Sequence, residues 1–272
     1  MMASAPEAHP FDEAVALAPH GDGIHTGHTT AAYANMVGPF GGVIGASLLN
    51  AVMTDPQRLG DPVSLTVHYA APIADGAFSV TARAMRTNRS TQHWLVEMAQ
   101  DEQIVAFATA VTALRRETWG ATDARFPDVP PAESLEQAAP VERAPWTRCY
   151  EMRFVDGAIG GRPNDDIPSQ SRLWLRDNPP RPLDFVSLAA LCDAFFPRIF
   201  VPRGAWTPIG TVTLTTYFHA DAEQVRNQGT GYLLGSARGL NFGKGFFDQS
   251  AEVWSTDGSL LASSHQVVYY KE

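Results

Sequence analysis

VGPFGGVIGASLLNAVMT (Val37 to Thr54) is an apolar run of helical character, and the segment after it alternates, carrying Val63, Leu65, Val67 and Tyr69 on one face. DFVSLAALCDAFFPRIF (Asp184 to Phe200) repeats the arrangement and leads into a strand carrying Val212, Leu214, Thr216 and Phe218. The copies also close alike, on QDEQIVAFATAVTALRR (Gln100 to Arg116) and STDGSLLASSHQVVYYK (Ser255 to Lys271). Such self-similarity predicts two copies of one structural unit. Each unit reads as a strand, a helix and an antiparallel meander, with the helix wrapped by the sheet because it is apolar around much of its circumference. The copies differ in polarity. No carboxylate lies between Val37 and Thr54, whereas the second run carries Asp193, and Ala110 stands where the second copy has Gln266. One half reads as scaffold and the other as the site.

Working outward, the first helix begins near Gly38-Pro39-Phe40-Gly41-Gly42, preceded by a strand and its exit over Gly23 to Met36. Strands are expected at Pro62 to Ala70, Ala77 to Arg86, Thr91 to Gln100 and Ile104 to Arg115. Trp119 to Pro145 is proline-rich and weakly periodic, with a short helical piece as a candidate at Ser134 to Ala138. The chain therefore divides into a first unit (1–118), a linker (119–145) and a second unit (146–272). The second unit opens with strands at Tyr150 to Val155 and Arg172 to Arg176, separated by the polar loop Gly157 to Gln170. Asp184 suits the N-cap of the second helix, since its carboxylate can accept from free backbone N–H groups. Strands follow near Thr211 to His219, Thr230 to Leu240, Lys244 to Trp254 and Leu260 to Tyr270.

Composition narrows the function. In 272 residues, 44% are hydrophobic and 18% charged, which describes a globular protein. The net charge of −9 and the lack of a basic stripe argue against nucleic acid as a partner, although a few local arginines could hold a small anion. No apolar run reaches membrane-spanning length, and MMASAPEAHPFDEA has neither the basic start nor the apolar core of a secretory signal, so a cytoplasmic protein without membrane contact is expected. Cys149 and Cys192 form no metal or redox motif. His20, His25 and His28 cluster without an acidic or cysteine ligand at a characteristic spacing, so neither metal nor other cofactor is expected. No G-x-S-x-G elbow marks a serine hydrolase.

Asp193 interrupts a stripe of Val186, Ala189, Ala190 and Phe196, so its carboxylate is expected inside. A buried carboxylate needs partners or takes up a proton. Capping a neighbouring loop, or pairing with an arginine such as Arg198, is the structural alternative to a catalytic role. Gln266 on a strand and Thr211 at the start of a β-branched strand are individually uninformative.

Taken together, SARGLNFGKGFFDQSAEVWSTDGSLLASSHQ (Ser236 to Gln266), the threonine eight residues before the Phe218-His219 pair's histidine, Phe40-Gly41-Gly42 and His68-Tyr69 resemble the TesB-type (type II) acyl-CoA thioesterases, from about Gly23 onward. The resemblance implies an α+β double hotdog: two antiparallel sheets, each wrapped around a long helix, joined into one continuous sheet. It also implies an acyl-CoA substrate, a homodimer or higher homo-oligomer, and a catalytic trio of Asp193, Thr211 and Gln266 that activates water. The chain departs from the family pattern in linker length and at Ala220-Asp221, where arginine-proline is common. Gly41 and Gly42 are candidate oxyanion donors at a helix start. Arg238 and Gly239, with Arg86 and Arg89 of the first half, are candidates for coenzyme A phosphates. The hydratases that share the fold resemble one another through an Asp five residues before a His. Asp61 precedes His68 by seven, without their Asn-Pro loop. A non-catalytic acyl-CoA-binding protein stays open as the alternative.

Overall fold

The computed structural model describes residues 8–21, 23–160, 166 and 168–272, so the start of the chain and part of the Gly157–Gln170 loop lie outside the described residues. The first half supplies β1 (Ala18–Gly21), β2 (Ile24–His28), β3 (Asp61–Tyr69), β4 (Ala77–Thr87), β5 (Thr91–Gln100) and β6 (Gln103–Ala113). The second supplies β7 (Tyr150–Asp156), β8 (Ser171–Asp177), β9 (Ile209–Phe218), β10 (Leu233–Arg238), β11 (Phe242–Gly243), β12 (Phe246–Trp254) and β13 (Leu260–Tyr270). The helices are α1 (Pro10–Ala14), α2 (Gly41–Met53), α3 (Phe185–Leu191), α4 (Phe200–Arg203) and α5 (Ala222–Gln228).

All strands join one antiparallel sheet in the order β1-β2-β4-β5-β6-β3-β9-β13-β12-β10-β8-β7, with β11 paired to β12. Read from its centre, the order is the same in both directions: β3 matches β9, β6 matches β13, β5 matches β12. The two units meet edge to edge through β3 and β9, whose register runs from Ser64 opposite Tyr217 to His68 opposite Thr213. Thr66 and Thr215 face each other at the middle of this ladder, their hydroxyls 3.1 Å apart, on the pseudo-twofold axis. This is a double hotdog, as the resemblance implied.

Register makes the repeat quantitative. Leu65 lies opposite Ala110, and its equivalent Leu214 lies opposite Gln266. Both central ladders also slip by one residue at the same place, between Pro62 and Ser64 in the first unit and around Val212 in the second.

Helix α2 is buried from Gly42 to Leu49, as its uniformly apolar surface requires. Helix α3 starts where expected: Asp184 caps it by accepting from the Ser187 backbone N–H at 2.7 Å. It ends earlier than expected, at Leu191 and not at Phe200. The chain tightens into turns, with Asp193 N–H donating to Ala190 O at 3.0 Å and Ala194 N–H to Leu191 O at 3.1 Å. Pro197 explains part of this, since it has no N–H for the Asp193 carbonyl and disfavours a helical Phe196. Asp193 therefore sits just beyond a short helix, not within a long one. Helix α5, capped by Asp221, was not expected from periodicity.

The proline-rich segment between the units packs against the second one. Ala132, Val129 and Leu135 lie on a cluster of Trp174, Tyr232, Leu234 and Trp254, and Trp174 Nε1 donates to Pro130 O at 2.9 Å. It carries a 3-10 turn at Ala132–Ser134, slightly ahead of the expected helical piece, and a second 3-10 turn begins at its end, Pro145–Cys149. No helix among the described residues is long and apolar enough to cross a membrane.

Arg115 clamps the junction of the units, donating to Phe218 O at 2.6 Å, Pro62 O at 3.1 Å and His219 O at 3.3 Å. Its guanidinium is partly exposed, so Arg115→Ala is expected to cost about 1–2 kcal/mol. Urea unfolding reads this, and an unchanged midpoint would show that the clamp adds nothing to the β3–β9 ladder.

Candidate active site

Asp193 is 9% exposed and stands between the units. The Gln266 Nε2 donates to its Oδ1 at 3.2 Å, and the backbone N–H of Gly42 donates to the same carboxylate. Burial pushes this carboxyl up to about 7, against the pull of Gln266 and Gly42. Gln266 in turn accepts from Thr211 Oγ1 at 3.3 Å. Its amide is thus oriented from both sides, oxygen to the threonine and nitrogen to the aspartate. Arg198 does not pair with Asp193. Its guanidinium donates to Ser171 Oγ, Gln249 Oε1 and the carbonyls of Phe196 and Ser169.

Thr211 reaches this line through a β-bulge. Along β9, Leu214, Thr216 and Phe218 face inward, and strict alternation would place Val212 inward and Thr211 outward. Val267 lies opposite Thr213 but Val268 lies opposite Thr211, so Val212 is the extra residue. Val212 turns out, 38% exposed, and Thr211 joins the inner face beside Val268. The expectation that Val212 belongs to the core face is corrected by this bulge.

Gly41 and Gly42 let α2 and the turn after α3 come close. A Cβ on Gly41 would lie 2.9 Å from Asp193 Oδ2, and one on Gly42 would lie 2.7 Å from Ala190 O. Tyr69 secures the same helix start, donating from its hydroxyl to Gly41 O at 2.8 Å. Because the N–H of Gly42 is engaged by Asp193, Gly41 is the one of the two glycines left to meet a ligand.

Asp193, Thr211 and Gln266 line an inner chamber of about 70 Å³ whose other walls include Phe40, Trp146, Phe195 and Gln249. It shares Asn35, Gly41, Trp206 and Thr211 with an open groove of about 750 Å³. Arg143 and Lys271 supply the cations along that groove. Arg143 lies over the Trp206 ring at 5.1 Å and Lys271 over Tyr269 at 6.0 Å. Arg238, Gly239, Arg86 and Arg89 line neither cavity. Arg238 ends β10, Gly239 bonds Ser169 through its N–H, and Arg86 bonds Asn88 in the β4–β5 hairpin.

The sequence reading missed Gln249, Asn35, Arg143 and Lys271. Gln249 could have been found by counting back across the hairpin that turns at Asp257-Gly258, which sets it opposite Gln266. Nothing local marks Asn35, whose Oδ1 accepts from Trp146 Nε1 at 3.2 Å and Met36 N–H at 2.9 Å.

In the first unit the register equivalents of the polar pair are Pro62 for Thr211 and Ala110 for Gln266. Counted from the helix N-caps, Leu49 takes the place of Asp193. The first unit therefore repeats the frame of the site without its polar groups.

The model of the acyl-CoA thioesterase N-terminal domain matches residues 30–114, and that of the C-terminal domain matches residues 123–270. The chain belongs to the acyl-CoA thioesterase family. Among solved structures it is similar to a conserved protein of unknown function with a hot dog fold from Alicyclobacillus acidocaldarius (47% identity, TM-score 0.93, 98% of this chain and 99% of that one). A putative thioesterase II from Thermobifida fusca YX is similar in fold (18% identity, TM-score 0.81, 97% and 98% covered). So is the acyl-CoA thioesterase II TesB2 from Mycobacterium marinum (18% identity, TM-score 0.76, 96% of each chain). No curated protein matches the chain by sequence.

The raised carboxyl has a consequence for stability. Below its ordinary value of 3.8, Asp193 is neutral in both the folded and the unfolded chain. As pH rises towards about 7, the unfolded chain ionises first, and stability is lost. Asp193→Asn removes that loss. Its Tm is expected to exceed the parent's at pH 8, with the gain vanishing near pH 4. A gain independent of pH would show that the carboxyl is not displaced upward.

Proposed function

We propose that this chain hydrolyses acyl-CoA thioesters to the free acid and coenzyme A at one site per chain, by water activated by Asp193 with Thr211 and Gln266. The observation that carries this is the hydrogen-bonded line Thr211–Gln266–Asp193, set in a narrow chamber that opens into a groove. Hydrolysis needs a water held against the carbonyl carbon, an acceptor for its proton and stabilisation of the oxyanion. Water's oxygen bonds to the carbonyl carbon, its proton passes to Asp193, and the C=O pair moves onto oxygen. Collapse restores the carbonyl and breaks the C–S bond, and the proton held by Asp193 goes to the departing sulfur. Thr211 and Gln266 fix the orientation of the water and of the carboxylate. Aromatic and aliphatic walls suit the acyl end in the chamber. The carrier arm lies in the groove, its phosphates within reach of Arg143 and Lys271.

Thiol release from a panel of acyl-CoAs tests the reaction. Asp193→Asn is expected to lower kcat roughly 10²-fold or more. Thr211→Val and Gln266→Ala should each do smaller damage. The kcat/KM should rise with pH through about 7 as Asp193 loses its proton. Full activity in Asp193→Asn would remove the aspartate from the mechanism. Binding without thiol release would favour a non-catalytic acyl-CoA-binding protein.

For the groove, Arg143→Ala and Lys271→Ala are each expected to raise KM for acyl-CoA several-fold. Both should leave turnover of a short N-acetylcysteamine thioester, which has no phosphates, unchanged. Equal losses on both substrates would take phosphate recognition away from these two cations.

A further inference from the structure

Arg198 has no accessible surface, and it has no carboxylate partner among the described residues. Burial lowers its pKa to about 9, so it remains a cation at neutral pH. An uncompensated buried cation costs several kcal/mol. Hydrogen bonds to the carbonyls of Phe196 and Ser169 and to Ser171 Oγ offset part of that. The fourth partner is different in kind. Arg198 Nε donates at 3.1 Å to Oε1 of Gln249, which is 2% exposed and lines the inner chamber beside Asp193, Thr211 and Gln266. With its oxygen engaged by Arg198, Gln249 keeps its amide N–H groups for the chamber it lines, and no partner among the described residues takes them.

Register sharpens the point. Gln249 lies directly opposite Gln266, and the equivalent pair in the first unit is Trp94 opposite Ala110. Gln249 thus joins Thr211 and Gln266 as a polar residue of the second unit, where the first has Trp94, whose indole N–H is given to Thr112 Oγ1. Of the two glycines at the start of α2, Gly42 gives its N–H to Asp193, which leaves Gly41 as a backbone donor and no side chain yet assigned to the oxyanion.

We propose that Gln249 is a catalytic residue whose side-chain N–H groups donate to the thioester carbonyl oxygen as it becomes an oxyanion, with Arg198 as the positioning residue that orients and polarises the amide. Donation from a guanidinium to the amide oxygen strengthens the amide as a donor, and preorganised donors of this kind act in a water-poor chamber without reorganising. The cation without a counter-ion then meets its negative charge only as water adds. This assignment rests on the thioesterase reading above.

The test uses Gln249→Leu, which removes the donors, and Gln249→Glu, which keeps the shape and the Arg198 contact. Each is expected to lower kcat about 10²-fold or more for the best acyl-CoA. Affinity for the matching S-alkyl-CoA thioether, which has no carbonyl oxygen, should stay within threefold of the parent's. Arg198→Lys should lower kcat about tenfold alone and add little in the Gln249→Leu background. Should the leucine variant fail to fold, the glutamate variant decides. A kcat within threefold of the parent's, or thioether affinity falling in step with kcat, overturns the proposal. Failure of the parent chain to release thiol from any acyl-CoA overturns the thioesterase reading itself, and this assignment with it.

Discussion

A carboxylate removed from water must be met by donors, and at Asp193 the donors come from both halves of the chain. Gln266 belongs to the second unit and the Gly42 N–H to the first. Neither unit alone could hold this group in place. The close approach that brings Gly42 to Asp193 requires glycine at both 41 and 42, because side chains there would collide with the carboxylate and with Ala190 O. Tyr69 and Asn35 extend the first unit's share. The half that carries no acid is thus part of the site, as wall and as hydrogen-bond donor.

The continuous sheet makes this sharing possible. With β3 and β9 paired at its centre, the strand bearing Thr211 and the start of α2 are held in one rigid frame. Strand register relates Thr211, Gln249 and Gln266 to Pro62, Trp94 and Ala110, and counting from the helix N-caps relates Asp193 to Leu49. Leu49, Pro62 and Ala110 serve packing, and Trp94 gives its indole N–H to Thr112 Oγ1. A polar residue at such a position adds the cost of desolvation and demands partners, which the second unit supplies by linking its polar groups to one another. Electrostatics follow the same division. In a chain of net charge −9, the groove leading to the chamber is edged by Arg143 and Lys271, and Arg198 stands behind the chamber wall.

Much of the architecture was legible from periodicity. Two apolar runs, each followed by alternating strands, can bury their surface only if the strands curl around the helices, and a duplicated pattern calls for a duplicated unit. The difference between Ala110 and Gln266 could be read from aligned segments, because hairpin register carries sequence position directly into space. Asp193 could be singled out because a carboxylate among apolar neighbours at helical spacing is costly. The length of α3 could not be read so well: the apolar run continues to Phe200, and only the turns before Pro197 stop the helix at Leu191.

What the sequence by itself determined is the helix-and-meander unit, its duplication and which half carries the acid, since these follow from local patterning of apolar and polar residues, while the joining of the units into a double hotdog was implied by the family resemblance. Only the tertiary structure decided which faces the decisive side chains take and what they meet. Alternation along β9 points Thr211 away from the core, and the single extra residue Val212 reverses it, an effect of cross-strand register that one strand's pattern does not contain. Arg198 looked like a partner for Asp193 and instead holds Gln249, because a long guanidinium reaches whichever acceptors packing brings near. The groove cations come from Arg143, ahead of the second unit, and Lys271, beyond its last strand. They are distant in sequence and are brought to one groove by the way the units close on each other.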